Sequence, residues 1–79
     1  MVQQVRRAGL SVYLNIAEGC SRKSLTERKR FFEISRGSVI EIDAVLDLCI
    51  ELNYGKKENI EKLGQLMQRT FSMLTKMLR

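Results

Sequence analysis

The stretch Asn15-Ile16-Ala17-Glu18-Gly19-Cys20-Ser21-Arg22-Lys23-Ser24 joins two helical patterns and decides the topology of the chain. Gly19 follows a run in which apolar residues recur every three or four positions, and it is predicted to end the first helix. Ser24 stands where the N-cap of the next helix is expected, with Glu27 at the capping-box spacing. A short turn between two helices predicts that they pack antiparallel.

Three amphipathic segments account for nearly the whole chain. Helices are predicted at residues 2–18, 25–53 and 58–78, within a single domain of residues 1–79. Because the second segment carries two apolar stripes, it needs neighbours on more than one side. With short turns between the segments, this pattern predicts an all-α, antiparallel up-down helical bundle.

Small residues within the helices predict where a neighbouring helix approaches closely. Ala8, Gly9 and Ala17 are such positions in the first helix, and Gly37-Ser38 marks the middle of the second. Glycine costs up to about 1 kcal/mol of helix propensity against alanine, so a tight crossing is the expected reason for its presence. A break at Gly37-Ser38 is the alternative, which the unbroken apolar periodicity disfavours. Gly55 is predicted to end the second helix in a left-handed conformation.

The apolar faces of the three helices are broader than three helices can bury against one another. A domain of 79 residues also buries a small share of its surface, so a lone monomer is marginal. A fourth helix or a neighbouring subunit is therefore expected to cover the remaining apolar surface. The sequence predicts a homo-oligomer.

The net charge of +5 lies entirely within residues 1–36, whereas residues 37–79 are neutral. Nucleic-acid binding is predicted for five cations that fall within nine residues: Arg22, Lys23, Arg28, Lys29 and Arg30. The N-terminus of the second helix adds N–H groups that favour phosphate. RNA or DNA would be bound through its backbone, because no aromatic residue in the turn can stack on a base. The alternatives are an acidic protein partner and local ion pairs that serve solubility.

Two polar residues at the end of the first helix are assigned a structural role. Glu18 lies in the last turn of its helix, where a negative charge opposes the helix dipole. Asn15 and Glu18 are therefore predicted to bond across to the second helix or to its N-terminal amides, which would fix the turn.

The sequence argues against catalysis and against a bound cofactor or metal. The chain has no histidine, so the usual general base near neutral pH is absent. Asp43, Asp47 and Glu51 share one helix face and are interpreted as a solvated acidic surface. The two cysteines, Cys20 and Cys49, lack metal-ligand spacing and indicate a reduced, cytoplasmic protein. No membrane segment is predicted.

Several motifs together resemble a known bacterial family. They are Arg6-Arg7-Ala8, Ser11, Asn15-Ile16-Ala17-Glu18-Gly19, Ser21-Arg22-Lys23-Ser24 with Glu27, Phe31-Phe32-Glu33-Ile34, Gly37-Ser38, Glu41 and Leu52-Asn53-Tyr54-Gly55. Over residues 3–79 the chain resembles the four-helix-bundle proteins of the 23S rRNA intervening-sequence family.

The resemblance implies an up-down four-helix bundle that forms a homopentamer. It also implies a partner that is RNA, DNA or a nucleic-acid-associated protein, since a related protein associates with a reverse transcriptase. The family pattern has a further helix before Arg6, which this chain lacks. The resemblance therefore implies that a missing N-terminal helix or a partner subunit completes the bundle.

Overall fold

The computed structural model describes residues 2–79, with Val2 described by its backbone only. It contains three helices, α1 (Val2–Ser21), α2 (Leu25–Glu51) and α3 (Lys57–Met77). The described residues form no strand, which confirms the predicted all-α helical bundle. Met1, which the predicted domain includes, lies outside the described residues.

The first turn is shorter than predicted, because α1 continues through Gly19 to Ser21. The prediction that Gly19 ends the helix is wrong: Asn53 and Gly55 are the described residues with a positive φ, and Gly19 is not among them. The predicted N-cap of α2 is confirmed. The Ser24 hydroxyl accepts a hydrogen bond from the backbone N–H of Glu27 at 3.4 Å.

The second turn closes α2 with a Schellman motif. The N–H of Tyr54 donates to the carbonyl of Cys49 at 2.8 Å, and the N–H of Asn53 donates to that of Ile50 at 3.1 Å. Asn53 takes the left-handed position with φ 55°, a conformation that asparagine tolerates better than most residues. Gly55 is also left-handed, at φ 81°, but it lies in the turn beyond the helix end.

Small polar residues join α1 to α2 in antiparallel register. The buried hydroxyl of Ser35 donates to the carbonyl of Val12 at 2.8 Å, and the hydroxyls of Ser11 and Ser38 lie 2.9 Å apart. A backbone carbonyl of one helix is within reach of a serine on the other only when the two helix axes approach closely. The α1–α2 contact is therefore a tight crossing.

Gly19 permits this close approach near the first turn. A Cβ atom on Gly19 would lie 2.5 Å from Cε1 of the Phe32 ring, so no side chain fits there without displacing the ring. The predicted close packing is confirmed at Ala8, which is buried in the core, and at Ser38, whose hydroxyl meets that of Ser11 on α1. It is wrong at Gly9, Ala17 and Gly37. A Cβ on either of these glycines would meet no atom within 4 Å, and Ala17 is exposed. α2 nevertheless runs unbroken through Gly37, as the periodicity predicted.

The other side of α2 packs against α3, and both outer helices join one apolar core. The core contains Ala8, Val12, Phe32, Val39, Ile42, Leu46, Met67 and Leu74. The guanidinium of Arg36 lies over the Phe71 ring, 5.8 Å from its centroid.

The three helices form a thin layer with α2 in the middle. The principal extents of the chain are 44 × 22 × 14 Å. Within residues 2–79, no Cα of α1 lies within 8 Å of a Cα of α3. Since the backbones of α1 and α3 stay apart while both helices share one core with α2, the two helices flank a trough along one side of α2.

Candidate interaction surfaces

The accessible surface of the chain is larger than that expected for a compact monomer of the same mass. Its accessible surface is 6,040 Å² for 9.2 kDa. A compact monomer of this mass has a surface of about 4,900 Å². The excess of about 1,100 Å² exceeds the area of roughly 800 Å² that each partner buries in a standard protein interface. The shape therefore leaves room for at least one interface.

Much of this surface is apolar. Twelve large apolar or aromatic side chains are at least 43% exposed: Leu10, Tyr13, Leu14, Leu25, Ile34, Ile40, Leu48, Ile50, Leu52, Tyr54, Leu66 and Met73. Single exposed residues of this kind are ordinary, but these occur on every helix and in the second turn. Apolar residues exposed in this number on a small chain favour binding surfaces where they cluster.

The trough between α1 and α3 opens into a groove at the end of the layer where α2 terminates. This open groove has a volume of about 450 Å³. Its apolar lining comes from Val5 of α1, Leu46 of α2 and two residues of α3, Ile60 and Leu63. Two cations, Arg6 and Lys56, lie at the same groove, and no carboxylate lines it. The open groove is thus apolar inside and positively charged at its rim.

The opposite end of the layer carries the predicted nucleic-acid-binding residues. Arg22, Lys23, Arg28 and Arg30 are exposed, whereas Lys29 is half-buried. Arg22 pairs with Glu18 at 3.0 Å, and the Nε of Arg28 donates to the carbonyl of Arg22. This exposed ion pair is worth about 0–1 kcal/mol. These five residues are called the basic end.

An aromatic ring organises two arginines of the basic end. The guanidinium groups of Arg22 and Arg30 lie 5.1 Å and 5.9 Å from the centroid of the Phe31 ring. Cation–π contacts of this length hold both charges near one place on the surface. Phe31 was not predicted to take part in the basic end, because its position fits the apolar stripe of α2. The signal in the sequence was the basic pair Lys29-Arg30 directly before it.

The predicted cross-helix bonds of Asn15 and Glu18 are wrong. The Asn15 side-chain amide donates to the carbonyl of Ser11 at 2.7 Å and to its hydroxyl at 3.1 Å, within its own helix. Glu18 is exposed and pairs with Arg22 four residues later. The bond to α2 is made instead by Ser11, which is short enough to fit between two helices in close contact.

An acidic surface lies between α2 and α3, where Asp43, Asp47 and Glu61 line a shallow pocket. Burial, with the nearby Asp47 carboxylate as the lesser cause, raises the pKa of Asp43. Among the described residues, no group of three or more His, Cys, Asp or Glu side chains is arranged to hold a metal ion.

Asp43→Asn is expected to make the protein slightly more stable at neutral pH. A carboxyl whose pKa is raised by folding binds its proton more tightly in the folded state, so it opposes folding once it is charged. Stability contributed by Asp43 is therefore present at low pH and is lost as the pH rises through its raised pKa. Thermal melts of both proteins across acidic and neutral pH should converge in acid and separate above that pKa. Melts that separate only in acid would contradict this sign.

The sequence of the chain matches a protein-family model. The model of the 23S rRNA-intervening sequence protein family matches residues 1–76. The chain belongs to this family. No curated protein and no solved structure matches the chain. No described helix of the chain is both long and apolar enough to cross a membrane.

Proposed function

We propose that this 23S rRNA-intervening sequence protein is a non-enzymatic, self-associating helical scaffold in the cytoplasm. Its basic end is proposed to bind the phosphate backbone of RNA or DNA. The observation that carries the proposal is the surface of 6,040 Å², on which twelve large apolar or aromatic side chains are exposed. A chain of this size gains more from covering that surface with further copies than from any internal rearrangement of three helices.

Self-association and nucleic-acid binding support each other in this proposal. Each copy supplies a net charge of +5, carried by residues 1–36. A ring of identical copies repeats the basic end, so weak phosphate contacts add through avidity. The pentamer implied by the resemblance is part of the proposal, and five copies would place five basic ends in one particle.

Contacts within the basic end favour phosphate as its ligand. Arg22 and Arg30 are held beside one ring, and both guanidinium groups keep N–H donors for a phosphate oxygen. Lys23 is exposed next to the N-terminus of α2, whose N–H groups also favour an anion. Since the Phe31 ring lies under two arginines, it is not presented for base stacking at the basic end. The expected binding is insensitive to base sequence.

Replacing Arg22, Lys23, Lys29 and Arg30 by glutamine tests this role. We expect the variant to keep its helicity and the mass of its assembly. It should bind RNA and DNA more weakly than the parent, whatever the base sequence of the nucleic acid. The slope of log affinity against log salt should fall by about one unit for each lost phosphate contact. Fluorescence anisotropy with single- and double-stranded oligonucleotides at several salt concentrations measures both quantities.

The matched control removes four other cations, Lys57, Lys62, Arg69 and Lys76, which all lie on α3. Both variants lose the same net charge, so a general electrostatic effect would weaken them equally. A loss of nucleic-acid affinity in the basic-end variant alone supports the proposal. An equal loss of affinity in both variants, or no binding of nucleic acid by the parent at low salt, would refute it. Binding of an acidic protein without any affinity for nucleic acid would favour the adaptor function instead.

A further inference from the structure

Leu25 is an exposed apolar residue within the basic end. It is the first residue of α2, it is 66% exposed, and it belongs neither to the core nor to the apolar residues packed against the core. Residues three and four positions apart are neighbours on a helix surface, so Arg28 and Lys29 lie beside it. Lys23 precedes it by two positions in the turn. Cations therefore flank this leucine both on α2 and in the turn.

The surroundings of Leu25 differ from those of other exposed leucines. Leu10 and Leu14 are helical neighbours of each other, and so are Leu48 and Leu52, so each of these leucines extends an apolar face. The positions one turn after Leu25 are both basic. Association with another protein chain through apolar surface needs several adjacent apolar side chains. A single leucine among cations instead favours a ligand that combines negative charges with apolar surface.

The backbone around Leu25 is held in place before any ligand binds. The Ser24 hydroxyl caps the N–H of Glu27, and the N–H of Arg28 donates to the carbonyl of Ser24 at 3.0 Å. The Nε of Arg28 also donates to the carbonyl of Arg22, which ties the turn to α2. A contact made by Leu25 therefore costs little ordering of the backbone.

A nucleic acid offers apolar surface beside its phosphates where its bases are unpaired. In a duplex the base faces are stacked on one another, and a protein reaches only the base edges from the grooves. In a single strand the bases can be splayed out, and their faces pack against protein side chains next to the phosphate contacts. Leucine is among the apolar side chains that pack against bases in nucleic-acid complexes. Because every base has such a face, this contact does not depend on the base sequence.

We propose that Leu25 packs on an unpaired base of a strand whose phosphates are bound by the basic end. This inference rests on the proposed nucleic-acid binding and specifies the ligand as single-stranded RNA or DNA. The cations supply affinity that falls as salt is added, because phosphate contacts release counterions. Leu25 supplies affinity that does not, because the burial of apolar surface releases no counterion.

Leu25→Gln tests the contact and leaves the charge of the basic end unchanged. We expect its affinity for a single-stranded oligonucleotide to be about fivefold to tenfold lower than that of the parent, with the same slope of log affinity against log salt. Its affinities for a duplex, and for an abasic strand of the same length, should equal those of the parent. Fluorescence anisotropy with the three labelled oligonucleotides measures these affinities.

Leu52→Gln is the matched control, because Leu52 is 58% exposed and lies at the other end of α2. It is expected to keep the preference of the parent for the single strand over the abasic strand. This preference is the ratio of two affinities measured within one variant. The ratio therefore separates the base contact from a change in self-association.

Leu25→Trp gives a spectroscopic readout of the same contact. The chain contains no tryptophan, so the variant carries a single indole, located at the basic end. The indole should stack on a base, so its fluorescence should be quenched by the single strand and hardly changed by the abasic strand. The variant is also expected to bind the single strand several times more tightly than the parent. Leu52→Trp should show no quenching with either strand.

The outcomes separate this inference from the proposed function. If the parent binds no nucleic acid at low salt, both fail. If the parent binds all three oligonucleotides equally and Leu25→Gln binds them like the parent, phosphate binding stands and the base contact alone is wrong. An equal loss of affinity for the single strand, the duplex and the abasic strand in Leu25→Gln would also overturn the inference. So would unchanged nucleic-acid binding with weaker binding to vesicles of anionic lipid, which would assign Leu25 to a lipid surface.

Discussion

Gly19→Ala is expected to lower the free energy of unfolding by about 1–2 kcal/mol. A methyl group at this position would lie 2.5 Å from the buried Phe32 ring, which has to move from its place in the core. Overpacking of this kind costs about 1–3 kcal/mol, and the better helix propensity of alanine offsets part of that cost. Urea unfolding followed by circular dichroism measures the change.

Gly37→Ala is the matched control, because it makes the same chemical change in a helix with open space around it. It is expected to raise the free energy of unfolding by about 0.5–1 kcal/mol. Opposite signs for the two substitutions would locate the tight crossing at Gly19. If both variants are stabilised, Phe32 does not pack on Gly19 as described.

Leu74→Ala is expected to have the largest effect on stability, a loss of about 2–5 kcal/mol. Leu74 is fully buried, and its removal leaves a cavity where α3 meets the core. A domain of this length has a total stability of only several kcal/mol, so the variant is expected to be largely unfolded at 37 °C. Calorimetric and circular-dichroism melts test this directly.

Met73→Ala provides the comparison on the same helix. Met73 is 43% exposed, so its truncation is expected to cost less than about 1 kcal/mol. A similar loss in both variants would mean that α3 packs in a different rotational register from the one described. Such a result would also remove the basis for placing Leu63 in the open groove.

The fold was largely predictable from the sequence, because helical periodicity and capping are local properties. Ser24 with Glu27 located the start of α2, and the apolar spacing showed that α2 passes through Gly37 without a break. The predicted positions of the helix ends were less accurate. Gly19 has the residue type that often ends a helix, but here it serves a contact with Phe32, which lies 13 residues later. A local pattern contains no information about such a contact.

The candidate surfaces were predictable in kind but not in detail. The excess of apolar surface could be predicted from the widths of the apolar stripes alone. The open groove could not, because it depends on the separation of the α1 and α3 backbones, which the structure shows for the described residues. Glu18 was assigned to the wrong partner because Arg22 satisfies it locally, at the i,i+4 spacing. Ser11, which does reach α2, stood out only as part of the family motif, because a serine inside a helix does not by itself indicate a contact with another helix.

The mass of the parent chain in solution is the most direct test of the scaffold account. Light scattering coupled to size exclusion, across a concentration series from about 1 to 100 μM, should give a mass several times 9.2 kDa. The account predicts that this mass stays constant at the higher concentrations, as for a closed assembly. A stable mass of 9.2 kDa throughout would show that the exposed apolar surface is not an interface between copies, and would contradict the account.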